Sequence, residues 1–246
     1  MKSQKIPNNI VRSILPITNK WPAKLMDLVR RNNGGSHEVH QRIQRVQHNG
    51  MGLVIIRAQD KKDLSYLKRH YNFHTLHLDD VMSSIQNPKI DFEENYIFFV
   101  LHFPQMDTSS RRIELKEIDF FLTEKDVIVI INTPCENIEQ TISKISKSKK
   151  LRQEFFEKGT GLLLYHILDR LVDSFFPLLN NLENNIDQID KDVFTNLSPL
   201  RNIVEEVSYL KRNLIFLRSI IKPELVAFQN IGKQNHYLID KESIKY

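Results

Sequence analysis

The sequence predicts an α+β fold: an α/β/α sandwich with a mixed β-sheet covered by helices, followed by a long antiparallel helix pair. Three observations lead there. The apolar runs GLVIIRA (52–58), YIFFVL (96–101) and VIVIINT (127–133) have the length and β-branched or aromatic content of buried strands. Helical patterns and adjacent hairpins interrupt these runs irregularly, which favours a mixed sheet over a doubly wound parallel one. Beyond SKSKKLR (146–152) the apolar residues recur at threes and fours over long spans. The expected divisions are a lead-in over 1–35, a mixed α/β domain over 36–148, a helical hairpin over 149–232, and the start of a further helix over 233–246.

The elements follow in order. Residues 1–20 are mixed and interrupted by proline, and read as a loosely ordered lead-in. Trp21-Pro22 opens a short helix to Arg31, and residues 32–36 (NNGGS) form a turn. Val39, Ile43 and Val46 mark a strand, with His48-Asn49-Gly50 as the hairpin turn before GLVIIRA. Asp60 caps a helix to about Tyr71 that turns Leu64 and Leu67 inward. Thr75 to Ile85 is a short amphipathic helix with Leu76, Val81 and Ile85 on one face, ended by Asn87-Pro88. An extended run from Lys89 leads into YIFFVL. Ile113 to Leu122 alternates, with a shift near Lys116-Glu117, and residues 123–126 turn the chain into VIVIINT. Asn137 to Ser146 is a helix with Ile138, Ile142 and Ile145 inward.

A first long helix then runs from Leu151 or Thr160 to Val193, carrying Leu164, Leu168, Leu171, Phe175, Leu178 and Leu182 and bent at Pro177. Ser198-Pro199 starts a second, whose seam is Leu200, Ile203, Val207, Leu210, Leu214, Leu217 and Ile221. The short link between them demands an antiparallel hairpin. Residues 240–243 (DKES) cap one more helix.

Composition narrows the function. Apolar residues make up 41% and charged residues 26%, as in soluble globular proteins. The net charge of +5, from 35 basic and 30 acidic residues, raises a soluble basic module that binds nucleic acid as one alternative. No aromatic-plus-basic RNA motif accompanies it, so no nucleic-acid partner is expected. A single Cys135 excludes an internal disulfide and a cysteine metal cluster. Glycine-rich phosphate loops are absent. No apolar run reaches the roughly 18–20 residues of a membrane span, and no signal peptide is visible. No order of Ser, His and Asp and no paired-acid motif points to an enzyme.

The candidate site residues are acidic. Asp79 and Asp80 are adjacent on a short helix, so their side chains point about 100° apart. One of them can bind outward while the other caps or pairs internally. Asp169, within YHILDRLVDSFF, reads as a partner for Arg170 or another base. Glu183, Asp187 and Asp190 share a helix face, either solvated near basic residues or weakly attracting hydrated divalent ions. His74 and His77 have ligand-like spacing and, with Asp80, mimic part of a zinc site, but a fourth ligand is missing.

Three segments carry a resemblance. Phe73, Leu76, Leu78, Asp80, Val81, Gln86, Pro88, Lys89, Ile90, Asn95, Tyr96, Phe98, Val100 and Leu101 match a pattern of the cytoplasmic domain of CorA-type divalent-cation transporters. LKRNLIFLRSIIKPE (210–224) and YHILDRLVDSFFPLLNNLENNID (165–187) are similar to two further segments of that family. The match covers roughly residues 50–246. It departs at His74-Thr75, Asp79-Asp80 and Asn87, where the family usually has His-Pro, Glu-Asp and Arg.

The resemblance implies a cytoplasmic regulatory domain that senses Mg²⁺, within a homopentamer at the inner membrane. It implies Mg²⁺ as regulatory and transported ion, with Co²⁺ or Ni²⁺ as alternatives. It places Asp79, Asp80 and Asp169 at regulatory metal sites whose partner carboxylate lies on the family's stalk helix, beyond Tyr246. The family's two membrane helices and their Gly-Met-Asn pore motif are not found in this sequence, so this portion is expected to be soluble, unable to conduct ions, and a monomer or weak oligomer. A related zinc-transporting branch with the same fold is the nearest alternative.

Overall fold

The computed structural model describes residues 42–58, 64–83, 86–195, 199–231, 234 and 236–239. The expected lead-in over 1–20, the helix over 21–31, the turn over 32–36, Val39, the Asp60 cap, Ile85, the Ser198 cap and the helix start over 240–243 lie outside these residues. Six strands form one sheet: β1 (Ile43–His48), β2 (Met51–Arg57), β3 (Lys89–Phe92), β4 (Tyr96–Asp107), β5 (Arg112–Thr123) and β6 (Asp126–Ile131). Their order is β1-β2-β6-β5-β4-β3. Strands β2 and β6 run parallel, with Gly52 opposite Asp126. The pairs β1–β2, β3–β4 and β5–β6 are antiparallel. The sheet is therefore mixed, and the fold is the predicted α+β class.

The chain divides into two compact units: one of residues up to Leu101 plus Glu117–Pro134, the other of His102–Lys116 plus residues from Cys135 onward. In the first unit, Asn49 and Gly50 turn β1 into β2 with positive φ at both positions, 49° and 78°. That is the twist a two-residue hairpin needs. Two helices belong here: α1 (Ser65–His70) and α2 (Thr75–Met82). Val54 and Ile56 of β2, Phe98 and Val100 of β4, Phe121 of β5, and Ile128 and Ile130 of β6 form one core with Leu64, Leu67, Phe73, Leu78 and Val81. Alternate residues on these strands supply that face because side chains on a strand alternate sides. The intervening Leu53, Ile55, Ile97, Phe99, Phe120 and Val129 are also buried, which explains why the strands read as continuous apolar runs. On α2 the inward residues are His77, Leu78 and Val81, whereas Leu76 is 64% exposed. The expected face through Leu76 is thus corrected by about one residue, because buried His77 takes the place given to an apolar side chain. The helix also ends at Met82, before Asn87-Pro88.

The second unit contains α3 (Glu136–Lys147), α4 (Lys149–Phe155), α5 (Thr160–Asp173), α6 (Phe175–Thr195) and α7 (Leu200–Ile231). Ile138, Ile142 and Ile145 of α3 are buried as expected. The Arg152 guanidinium of α4 donates to the carbonyls of Ile145 and Ser146, closing the end of α3. The single helix expected up to Val193 is two helices. The break is at Ser174, whose hydroxyl donates to the Leu171 carbonyl at 2.6 Å and accepts from Asn137 Nδ2 at 2.9 Å. Pro177 is the third residue of α6, so the bend expected at this proline is realised as a break one turn before it, where its ring excludes the bond to the Asp173 carbonyl. A first-turn amide has no partner within its helix, so proline costs little there.

Helices α6 and α7 pair antiparallel, with Leu178 and Leu182 packed with Leu217, Ile220 and Ile113. The seam expected on α7 is right at Leu210 and Leu217, which join the core, and displaced at its other turns. Leu200, Val207, Leu214 and Ile221 are 75%, 45%, 42% and 38% exposed. The buried row is Asn213, Leu217, Ile220, Glu224 and Ala227. It keeps alternating threes and fours, but it is one residue out of phase and includes polar residues.

Candidate functional site

The carboxylates of α2 have different surroundings. The helix starts where His74 Nδ1 accepts from the Leu76 amide at 3.2 Å. Asp79 is exposed, whereas Asp80 is half-buried beside β3. Lys89 Nζ of β3 lies 2.7 Å from Asp80 Oδ2 and 2.8 Å from Asp91 Oδ2. Burial works against the Lys89 charge, but the two carboxylates outweigh it and its pKa is raised. The adjacent pair is split as its geometry requires: Asp80 pairs internally and Asp79 faces outward.

His77 lies under the same helix. The Tyr96 hydroxyl is 2.8 Å from His77 Nδ1 and also accepts from the His74 amide at 2.9 Å. With the hydroxyl proton directed at Nδ1, the His77 Nε2–H faces Asp91 Oδ2, 3.4 Å away. Burial lowers the His77 pKa, with Asp91 opposing it. His74 is thus a helix cap and His77 a core partner of Tyr96, which corrects their reading as a zinc-like pair.

Two acids on β5 complete this region. Glu117 Oε2 accepts from the Gln86 amide at 2.6 Å. Asp119 is 1% exposed. Its Oδ2 is 3.4 Å from Asn132 Nδ2, which also donates to the Val81 carbonyl at 3.1 Å. Its other oxygen, Oδ1, is buried without a hydrogen-bond partner. Burial drives the Asp119 pKa well above the usual carboxylate range, and Glu117 and Asp80 push the same way. The sequence reading passed over both residues. Their signal is two acids on either side of Ile118 where β5 turns apolar, just before Phe120, Phe121 and Leu122.

The remaining candidates belong to the second unit. Asp169 on α5 is exposed. Arg170 does not serve as its partner: the guanidinium lies over the Phe155 ring at 5.1 Å. His166, one turn earlier, stacks on Phe155 at 4.6 Å. Burial lowers the His166 pKa, and Glu154 and Asp169 partly counter that. Glu183, Asp187 and Asp190 are exposed on α6. Among the described residues, no three His, Cys, Asp or Glu converge to hold a metal ion. Among the same residues, no helix is long and apolar enough to cross a membrane. On α2, then, one carboxylate, Asp79, faces outward beside a braced one, Asp80.

The mixed sheet and the helical hairpin have counterparts among known proteins. The family described as "CorA-like Mg2+ transporter protein" matches residues 50–246. This chain belongs to that family. A cobalt/magnesium transport protein CorA from Thermotoga maritima is 28% identical over 176 residues, covering 72% of this chain and 49% of that protein. The soluble domain of CorA from Methanocaldococcus jannaschii has a similar fold, with a TM-score of 0.68, 17% identity and coverage of 79% of this chain and 75% of that one. The cytoplasmic domain of ZntB from Vibrio parahaemolyticus gives a TM-score of 0.57 at 12% identity, covering 80% and 76%. The chain spans about half the length of the curated relatives it matches, between 49% and 55% for three of them.

Proposed function

We propose that this chain is the cytoplasmic, Mg²⁺-sensing portion of a CorA-like divalent-cation transporter, acting within a homopentamer at the inner membrane. The family match over 50–246 is the main support. The local support is the split acidic pair. Lys89 holds Asp80, and through it the end of α2, so that Asp79 meets solvent in a fixed place. Mg²⁺ loses its water reluctantly and is commonly held by one or two carboxylates with several waters kept. Asp79, directly or through a water, fits that role, and Asp169 is proposed for a separate site on the second unit. A neighbouring copy would complete the shell. A site shared between copies stabilises one arrangement only by binding it better than the other. Mg²⁺ and Co²⁺, the ions in the name of the Thermotoga relative, are the proposed cargo of the whole protein. The acidic face of Glu183, Asp187 and Asp190 would gather hydrated cations without dehydrating them.

Calorimetry with Mg²⁺ on this chain, with Asp79→Ala, Asp80→Ala and Asp169→Ala beside it, tests the reading. Because each shell is incomplete, the expected affinity is about millimolar or weaker, and lower in the variants. A longer chain that includes the stalk should bind more tightly and gain Mg²⁺-dependent protection from proteolysis. Micromolar binding to the present chain that neither Asp80→Ala nor Asp169→Ala abolishes would place the sensor elsewhere.

A further inference from the structure

Glu224 is 9% exposed, on the buried face of α7 with Ile220 one turn before it and Ala227 one turn after. Its Oε1 accepts a hydrogen bond from the backbone amide of His102 on β4, within the same unit. The residue before it is Pro223, inside the helix. A mid-helix proline donates no hydrogen bond and clashes with the preceding turn, so α7 has a natural hinge there. The segment after the hinge, Pro223–Ile231, is thinly anchored. Leu225 and Val226 are 58% and 55% exposed, and Glu224 and Ala227 are its buried residues. Within this segment the polar tie to its unit is the Glu224 carboxyl on the His102 amide; past the helix, Leu238 is buried again beside Gly161 of α5.

We propose that Glu224 is a proton-dependent latch: neutral, it holds the last turns of α7 against β4, and ionised, it lets them swing away at Pro223. Burial pushes the Glu224 carboxyl up to about 8, and the His102 amide opposes this. Among the described residues, no ionised neighbour enters that balance. His102 is the titratable residue of β4 beside it, and Lys222 and Arg218 on α7 are exposed. The sign follows from linkage. The closed carboxyl titrates near 8 and the released one near its ordinary 4.5, so the closed form binds the extra proton. Opening therefore becomes easier by about tenfold per pH unit between those values and levels off above 8. The latch uses none of the acidic candidates on α2, α5 and α6, and stands whether or not they bind Mg²⁺.

Hydrogen exchange on the full chain provides the test. After correction for the intrinsic exchange rate, protection of the amides of residues 224–231 should fall by about fiftyfold from pH 6 to pH 8. Glu224→Gln keeps an acceptor for the His102 amide and cannot ionise, so its protection should stay level over that range. Identical pH profiles for the wild type and Glu224→Gln would overturn the proposal. A second measurement guards against a variant that fails to fold: the carboxyl carbon of Glu224 in the wild type, followed by NMR, should titrate near pH 8, and a midpoint near 4.5 would equally overturn it.

Discussion

Asp80 Oδ2 lies 2.7 Å from Lys89 Nζ, so the loop between α2 and β3 is closed by an ion pair at both of its ends. Lys89 also reaches Asp91, and its positive charge helps to hold the His77 pKa down. Lys89→Met should leave the two carboxylates unopposed. The pair is partly exposed, so the expected loss in urea unfolding is a few tenths to about 1 kcal/mol. The sharper readout is His77, whose NMR titration should move to higher pH in Lys89→Met. A midpoint that stays put or falls would show that Lys89 is not electrostatically coupled to the imidazole.

Asp119 contributes a pH dependence of stability. Its folded pKa is raised, chiefly by burial, so the folded chain holds a proton that the unfolded chain releases. The favourable contribution is complete below the ordinary carboxylate value and is lost as pH rises through the folded value. Asp119→Asn keeps an oxygen for Asn132 and removes the ionisation. Urea unfolding from pH 4 upward should show a flatter profile in the variant than in the wild type. Parallel curves would mean that Asp119 titrates normally in the folded chain.

Gly52 is required by a close approach. A Cβ there would lie 2.2 Å from Asp126 Oδ1, and that carboxylate cannot easily step aside. Arg45 Nη2 donates to Oδ1 at 2.8 Å and Tyr71 donates to Oδ2 at 2.8 Å. Burial, followed by Asp126 itself, raises the Tyr71 pKa. Gly52→Ala should therefore cost about 1–3 kcal/mol, as overpacking generally does. Tyr71→Phe with Gly52→Ala should cost less than the sum of the two, because both act on Asp126. Additive costs in a double-mutant cycle would separate the two residues.

Most of the first unit was legible because its strands are buried on both faces and announce themselves as unbroken apolar runs. Asn49-Gly50 and the Ile138, Ile142 and Ile145 face were equally plain. The outward turn of Asp79 and the inward pairing of one α2 acid followed from adjacency on a helix, but Lys89 as the partner did not, since it comes from another element. The interruption near Pro177 was legible from the proline itself; what was not legible is Ser174 as its capping residue, because that side chain also interacts with Asn137, far off in sequence. The α7 seam was misread for one reason. Its true face carries Glu206, Asn213 and Glu224, and an apolar count skips all three. Each serves the β4–β5 ribbon: Arg111 bonds both oxygens of Glu206 at 2.7 and 2.5 Å, Asn213 bonds the Arg111 and Ile113 backbone, and Glu224 bonds His102.

Asn213 makes that last point testable. It is 6% exposed, its Oδ1 accepts from the Ile113 amide at 3.3 Å, and its Nδ2 donates to the Arg111 carbonyl at 3.0 Å. The surrounding core is Ile113, Leu178, Leu182, Leu217 and Ile220, so a leucine would suit it by hydropathy and by heptad position. If apolar burial governed this face, Asn213→Leu would stabilise the chain. The two backbone groups argue the reverse: each would be stranded in an apolar setting, at about 1–3 kcal/mol apiece before any gain from burial. Asn213→Leu should therefore unfold at lower urea than the wild type, and the Ile113 amide should exchange faster in it. Asn213→Asp, which keeps the acceptor and loses the donor, should protect the Ile113 amide better than Asn213→Leu does. A more stable Asn213→Leu chain with an unchanged Ile113 amide would show that the ribbon does not depend on α7 for its hydrogen bonds.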